Sequence, residues 1–538
     1  MFKLSDKSLE WALKHVTRFY SSDFFPTPFE FKALSHQWGT IKARLEAIDL
    51  DEYMPRTPIA LLAPKPNGTF RVVHQLDPID AIIYSALIFE ISDAVETFRI
   101  PSSAEIACSY RIDPTVNGSF FGKENEWNVY TRRTRDLSKK YKNGFVITGD
   151  FVDFYNQIYT HRVANLIEEA GGTALDHHAK VIERFLLALN TETSRGIPVG
   201  PAPSIVLSEL IMADIDKKIL SFTRDFVRWA DDVRIFFPTR EEAESVLHEL
   251  THFVHSNHRL VFSGEKTRII PVEYFVKSHK DDEAEEAKLV KGKAEEIALS
   301  EYYDELMKNL GPYEDPEDVF DPETFQEVFE QIAKTQRFEI LSNLYSELLE
   351  NELERPFPQI AVLRRIFKNA SRYRIRSILP VSLKNFDKLV PVVRELVLYL
   401  NKVLDSKVVA SNKRAFNAIV ANPRMKIPYI NMWISHLLQH DAFGGSDIPS
   451  YDVIATLRDQ ALVARRRSDR TWVKGYKNGL DVLGPWEKRA VLYAACVLSQ
   501  DEALHWLQVA AARGDIIETA VARYMISEKK GEKQSTPA

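Results

Sequence analysis

Apolar positions recur at helical spacing over residues 9–20 and again over 31–50, with Pro26 and Pro28 between them, and predict two amphipathic helices. From Tyr53 the pattern changes to short apolar runs separated by turn residues. PIALLAPKPNGTFRVV sets Asn67-Gly68 between two strand-like stretches, a hairpin signal. A helix over 81–98 follows, then strands over 144–149, 225–229, 233–237 and 259–262. Up to about Phe275 the chain therefore reads as mixed α and β. The charge-rich stretch KDDEAEEAKLVKGKAEE, residues 280–296, reads as an exposed linker or a solvated helix face. Beyond it the spacing is helical almost throughout, with breaks at Pro356, Pro380, Pro391, Pro428 and Gly444-Gly445 and buried stretches at 396–400 and 490–498. Stacked helical hairpins, an α-solenoid of HEAT-like character, are the expectation there. Residues 528–538 read as a disordered tail. The predicted division is an N-terminal helical segment over 1–50, a mixed domain over 51–280 and an α-helical domain over 281–538.

Composition narrows the classes. The 538 residues suffice for roughly three or four domains. With 45% hydrophobic and 27% charged residues the chain can bury a core and is not a disordered protein. Lys+Arg 70 against Asp+Glu 76 gives a net charge of −6, which excludes nucleic-acid binding by bulk positive charge and leaves local basic patches or metal ions. The 2 cysteines, Cys108 and Cys496, exclude a four-cysteine zinc site and a disulfide scaffold, and fit a reducing cytoplasm. The N-terminus has no apolar core of a signal peptide, and no run approaches the roughly 20 apolar residues of a membrane span, so no membrane partner is expected.

Four segments carry chemistry. In Val146-Ile147-Thr148-Gly149-Asp150-Phe151-Val152-Asp153-Phe154-Tyr155 an apolar strand ends on an aspartate, which by itself also suits a helix N-cap. Arg195-Gly196-Ile197-Pro198-Val199-Gly200-Pro201-Ala202-Pro203-Ser204 is a Gly/Pro loop opening a helix; it either lets backbone N–H groups approach a substrate or is a rigid turn. In Phe226-Val227-Arg228-Trp229-Ala230-Asp231-Asp232-Val233-Arg234-Ile235-Phe236-Phe237 two adjacent carboxylates interrupt two apolar strands, which predicts a hairpin with acids at its tip. Adjacent aspartates repel unless a cation neutralises them, and that points to metal. The fourth, Leu260 to Arg268, is a strand and turn bearing Lys266.

Taken together these segments resemble the palm of reverse transcriptases. Asp150 matches the first metal-binding aspartate, Trp229-Ala230-Asp231-Asp232 resembles the Tyr-x-Asp-Asp box, Gly196 to Ser204 resembles the Gly-x-Pro-Gln-Gly loop and Gly264-Glu265-Lys266-Thr267 the lysine turn. Upstream, KPNGTFRVVHQLDPIDAIIYSAL is similar to the fingers motif, and Cys108-Ser109-Tyr110-Arg111 to the short segment that follows it. The resemblance covers about the first half of the chain. It implies an α+β fold, reverse-transcriptase-like fingers and an antiparallel palm sheet with helices, followed by the all-α, HEAT-like C-terminal domain. It also implies two-metal nucleotidyl transfer with Mg²⁺, or Mn²⁺ in its place. Asp150, Asp231, Asp232 and the Phe151 carbonyl would hold the ions. Arg71 and Lys65 would clamp the triphosphate, with Gly200 at the nucleotide loop, and Lys266 would protonate pyrophosphate. Tyr155 would lie beneath the sugar and select dNTPs over rNTPs.

The chain departs from the family at Val199, where template-copying relatives carry Gln, at Trp229 in place of Tyr, and after Thr267, where RIIPVEYFV lacks a primer-grip motif. A palm with weakened template grip and a helical C-terminal half resembles the bacterial abortive-infection polymerases and their defence-associated relatives. That likeness implies phage defence, DNA synthesis without a template, a single-stranded DNA product attached to a protein hydroxyl, and a homo-oligomer. The priming residue is not specified by the sequence; Tyr53, ahead of the fingers, is a candidate whose plainer role is core packing. Three basic clusters with aromatics, 130–142, 364–376 and 465–477, suit a path for single-stranded product or equally solvated helix faces. Two alternatives stay open: an RNA-templated reverse transcriptase using a noncoding RNA, and a non-catalytic scaffold binding partners through its helical region.

Overall fold

The computed structural model describes residues 1–20, 24–65, 68–122, 126–278, 337–443 and 451–531; the charge-rich stretch 280–296, Asn67 and Gly444-Gly445 lie outside them. The chain forms two compact units. One comprises 1–61, 72–279 and 473–538, the other 62–71 and 280–472. The last helices therefore pack with the N-terminal unit, and a single boundary at 280 does not describe the packing.

In the first unit, α1 (Asp6–Arg18) starts at Ser5, whose hydroxyl accepts from the Ser8 N–H. The expected helix over 31–50 is two, α2 (Glu30–His36) and α3 (Trp38–Ala47), because Gln37 leaves helical geometry with φ −104° and ψ 20°. β1 (Ile59–Pro64) and β2 (Phe70–Gln75) form the expected two-stranded sheet. Asp77 caps α4 (Pro78–Phe98), a helix buried along most of its length. Then follow α5 (Glu126–Lys140), β3 (Phe145–Gly149), α6 (Phe154–Gln157), α7 (Thr160–Gly171), α8 (Asp176–Leu189), α9 (Ala202–Leu220), β4 (Phe226–Trp229), β5 (Asp232–Phe237), α10 (Arg240–His258), β6 (Arg268–Pro271) and α11 (Val272–Ser278).

Four strands make one antiparallel sheet in the order β4-β5-β3-β6. Val146 and Phe236 are cross-strand partners and pack with Leu137 of α5 and Val272 and Phe275 of α11. By strand alternation Ile147 and Ile235, also partners and also buried, turn to the other face, toward the side of α10. Both faces of the sheet are thus covered, and only its ends remain for chemistry. The strand expected at 259–262 does not form. Arg259 closes α10 in a left-handed conformation (φ +57°), and only Phe262 bridges, to Phe151. The fourth strand is β6 instead, short and bounded by Arg268 and Pro271, which hid it in the sequence.

The C-terminal helices Pro485–Ala494, Gln500–Arg513 and Ile516–Lys530 pack on one another, and the last lies on α2. Phe29 stacks on Tyr493 with centroids 4.2 Å apart. Of the residues expected as a tail, 528–530 instead complete the final helix, and 532–538 lie outside the described residues.

Among its described residues the second unit is helical apart from its share of the β1–β2 hairpin. Arg337–Glu354 packs on Ile360–Tyr373, which packs on Val393–Val403, then Pro428–Leu437, then Leu457–Arg467. Pro380 and Pro428 stand in the first turn of their helices, where the missing N–H costs nothing. Among the described residues no helix is long and apolar enough to cross a membrane.

His15 of α1 gives the fold a pH dependence. It is buried against Trp11 and Phe120, and its Nδ1–H donates to the Gly118 carbonyl at 2.8 Å. Gly118 permits this approach: its φ is +95°, and a Cβ there would lie 2.6 Å from the main-chain nitrogen of His15. Burial pushes the imidazole down from 6.5 to about 4. The unfolded chain then takes up the proton first, so the contribution is complete above pH 6.5 and is lost as pH falls toward 4. We expect about 3 kcal/mol from this group across that window. Urea denaturation at pH 7 and pH 4.5 checks it: the slope should flatten in His15→Asn, and an unchanged slope would contradict the assignment.

Candidate functional site

β3 and β5 pair with Gly149 opposite Val233, so the next residues in antiparallel register are Asp150 and Asp232. Paired Cα atoms in such a ladder are about 5 Å apart. Both lie two residues on from the Thr148–Arg234 pair, so alternation puts them on the same face of the sheet as Val146 and Phe236. β4 and β5 pair Trp229 with Asp232, leaving Ala230-Asp231 as a two-residue turn. Residues 150, 231 and 232, remote in sequence, therefore meet at one end of the sheet.

The backbone beside Asp150 is clamped. The Ser263 N–H donates to its carbonyl at 2.8 Å, and the Val152 N–H donates to Val261 at 2.9 Å. Phe151 is buried, with its ring stacked on Phe262 at 4.6 Å. The Lys266 ammonium contacts Asp150 Oδ2 at 2.7 Å with the lysine side chain mostly exposed. Asp232 is open to solvent on one side, yet the surrounding protein wall and the charges of Asp231 and Asp150 push its carboxyl up to about 6, against the pull of Arg234 and Lys266. The corner thus concentrates negative charge and already attracts one side-chain cation. Hard carboxylate oxygens on adjacent strand ends fit a divalent ion such as Mg²⁺. Among the described residues no three His, Cys, Asp or Glu side chains stand close enough together to hold a metal ion, so the expected ligand set Asp150, Asp231 and Asp232 is not drawn together here. The three acids adjoin one end of the sheet, and Asp150 is held by Lys266.

Tyr155 follows on α6. Its hydroxyl shares a hydrogen bond with Ser208 of α9 at 3.1 Å, and burial first, then the charges of Glu209 and Asp231, hold the phenol protonated. The Gly/Pro loop does open α9, as expected. It is fixed by the Gly196 N–H to Ile158 (2.8 Å) and the Ile197 N–H to Tyr155 (3.0 Å). Gly200 adopts φ +127°, a conformation that suits glycine. Val199 spends both backbone groups on His74: its N–H donates to His74 Nδ1 at 3.1 Å and its carbonyl accepts from the His74 N–H at 2.9 Å. Arg71 is exposed and Lys65 half-buried on the β1–β2 hairpin, and the Lys65 N–H donates to Thr69 at 2.7 Å.

Tyr53 lies elsewhere. Its hydroxyl donates to Asp80 Oδ1 at 2.6 Å, and burial with that carboxylate drives the phenol's ionisation far upward. This is a structural hydrogen bond and a poor setting for a nucleophile. The basic clusters are also partly committed: Arg133 donates to the Arg224 carbonyl at 2.9 Å, Lys140 pairs with Asp225 at 2.6 Å, Arg376 with Asp405 at 2.8 Å and Lys477 with Glu502 at 3.1 Å.

A buried ionic group behind the Ala230-Asp231 turn escaped the sequence reading. Arg228, Glu209 and Asp216 are all within 1% of full burial. The signal was present: an arginine inside an apolar strand, and two acids seven residues apart on the apolar helix α9.

Curated proteins yield no match. Among solved structures, telomerase from Candida albicans, in complex with a TWJ fragment of telomeric RNA, aligns at 10% identity over 95% of this chain and 72% of that one, with a TM-score of 0.30. Residues 63–286 match the family model described as reverse transcriptase (RNA-dependent DNA polymerase), so this segment is a reverse-transcriptase domain and the protein a nucleotidyltransferase of the RNA-directed DNA polymerase type.

Proposed function

We propose that the protein is an antiphage-defence DNA polymerase of reverse-transcriptase type that joins dNTPs to a hydroxyl of the protein itself without an instructing template. The observation that supports the chemistry is the sheet register, whose Gly149–Val233 pair leads into Asp150 on one strand end and Asp232 on the other, beside the Asp231 turn. Two Mg²⁺ or Mn²⁺ ions held by Asp150, Asp231, Asp232 and the Phe151 carbonyl would supply activation of the attacking hydroxyl and charge neutralisation at the leaving pyrophosphate. The chain's own groups do the rest. Lys266 exchanges its contact with Asp150 for the pyrophosphate oxygen and delivers its proton there. Arg71 and Lys65 bind the triphosphate by charge-assisted hydrogen bonds, and the loop at Gly200 lets backbone approach the nucleotide. Tyr155 bars a 2′-hydroxyl.

Synthesis without a template is supported at Val199, which has an apolar side chain and whose backbone N–H and carbonyl are both bonded to His74. The succession of packed helices over residues 337–467 supports a HEAT-like array, a surface suited to a second copy of the chain. The test is incorporation of dNTPs with and without added template, followed by digestion and mass spectrometry for deoxynucleotides on a tyrosine or serine. An unmodified protein that extends only annealed primers on RNA would refute it. The second reading, reverse transcription of a noncoding RNA, is favoured by the RNA-dependent description of the matching family. It requires an RNA of defined sequence to co-purify and the product to be its complement. On either reading Tyr155→Val should raise rNTP use relative to dNTP by about 10-fold or more, measured as the ratio of kcat/KM values; an unchanged ratio removes Tyr155 from sugar selection.

A further inference from the structure

The turn that carries Asp231 is strained and tightly held. Ala230 has φ +51°, a left-handed value at the first position of a two-residue hairpin turn, where glycine is the usual residue. Such a conformation in a non-glycine residue costs about 1–2 kcal/mol and persists only when the surroundings enforce it. Both of its backbone polar groups are claimed. The Ala230 N–H donates to Ser109 Oγ at 2.7 Å, and the Ala230 carbonyl accepts from Arg228 Nη1 at 2.8 Å.

Behind these two bonds stands a buried ionic network, which Arg99 extends outward to Glu96. The Ser109 hydroxyl donates to Glu209 Oε1 at 2.9 Å. Glu209 Oε2 accepts from Arg99 Nη2 at 2.7 Å and Arg228 Nη2 at 2.9 Å. Arg228 Nε and Nη2 also bind Asp216, with contacts of 2.8–3.1 Å. Two arginines and two carboxylates balance in charge, and none of the five side chains is more than 3% exposed. Arg99 comes from the end of α4, Ser109 from an irregular segment, Glu209 and Asp216 from α9 beyond the Gly/Pro loop, and Arg228 from β4.

We propose that Arg99, Ser109, Glu209, Asp216 and Arg228 are positioning residues that lock the Ala230-Asp231 turn and thereby set the Asp231 carboxylate against Asp150 and Asp232. The inference rests on the reading of Asp231 as a metal ligand. Stability alone does not account for the network, because a buried ion cluster is commonly no more stable than apolar residues of the same volume. Its distinctive product is geometric: two hydrogen bonds of opposite polarity on one strained residue adjoining an acid of the catalytic corner. Outer groups of this kind set metal affinity and alignment without touching the ion.

Ser109→Ala deletes one turn bond and one Glu209 bond, and Glu209→Gln keeps the shape while removing the charge that orients Ser109 and Arg228. Both variants should lower kcat for dNTP incorporation about 10- to 100-fold and raise the Mg²⁺ concentration for half-maximal activity about 10-fold. The KM for dNTP should stay near that of the parent. Circular dichroism and thermal melting report the folded fraction. A merely structural role would reduce activity only in step with the folded fraction and leave the Mg²⁺ requirement unmoved, and that result overturns the inference. Asp231→Asn is assayed alongside. If it is inactive while both variants keep the parent's kcat and Mg²⁺ dependence, the positioning role fails and the site stands. If Asp231→Asn itself retains incorporation, the reading of the site fails.

Discussion

Replacing Asp231 with Asn is expected to reduce nucleotide incorporation by at least about a thousandfold, because a metal centre acts as a unit and loses most of its effect with any one ligand. Asp150→Asn should do the same. What makes the prediction specific is the accompanying stability. Asp232 is pushed up to about 6 by its surroundings and by the negative charges of Asp231 and Asp150, so the corner is electrostatically unfavourable without a cation. Removing one charge while keeping the side chain's shape relieves that repulsion. The inactive Asp231→Asn variant should therefore melt at the same temperature as the parent or slightly higher in metal-free buffer, and should lose the parent's stabilisation by Mg²⁺. Thermal melts with and without Mg²⁺, beside a dNTP incorporation assay, read both. A variant that is inactive because it is destabilised would contradict the account.

The second large effect concerns Arg489, which ties the C-terminal helices to the catalytic unit's own core. Its side chain is fully buried, and Nη1 binds Asp77 Oδ2 at 2.8 Å, while Nη2 lies 3.6 Å from Asp515. Both acids are helix N-caps: Asp77 accepts from the Ile79 N–H at α4, and Asp515 completes a capping box at the final helix. Arg56 spans the same two acids at 3.1 and 2.6 Å. Arg489→Ala leaves Asp77 buried with one partner fewer and opens a cavity, and it should cost about 3–5 kcal/mol. Pairing Arg489→Met with Asp77→Leu should recover a large part of that loss, since the uncompensated charge is then gone. Urea denaturation of the full chain measures the cost, and limited proteolysis should release the C-terminal helices first. Equal stability of Arg489→Ala and the parent would remove the clasp from the energetics.

Periodic elements were readable wherever burial followed a simple period. The apolar run at Ala81–Phe98 predicted α4 within three residues, and the alternating or continuous apolar stretches at 144–149, 225–229 and 233–237 predicted the central strands to within one residue. Reading failed where neighbours, not local pattern, decided the conformation. The run at 259–262 has strand composition, but Arg259 is consumed in closing α10 and the remaining residues serve as a bracket for Asp150. β6 is a strand because β3 offers it an edge, and nothing within Arg268-Ile269-Ile270-Pro271 demands it. The helices over 473–530 look like any others of the C-terminal half, yet they pack with the first unit because Asp77 and α2 lie there to receive them.

The same division runs through the site. As candidates, Asp231 and Asp232 were legible from the chain because adjacent carboxylates repel unless a cation meets them, and Asp150 and Lys266 were singled out only through their resemblance to family motifs. That Asp150 follows directly on the Gly149–Val233 pair at the end of β5 that carries Asp232, that Lys266 holds Asp150, and that Ala230 is bent into a left-handed turn by Ser109 and Arg228 emerged only from the folded molecule. The physical reason is range. Hydrophobic periodicity and turn chemistry are written in neighbouring residues, whereas the pairing of charges remote along the chain depends on which strands become adjacent and on how far burial strengthens each contact.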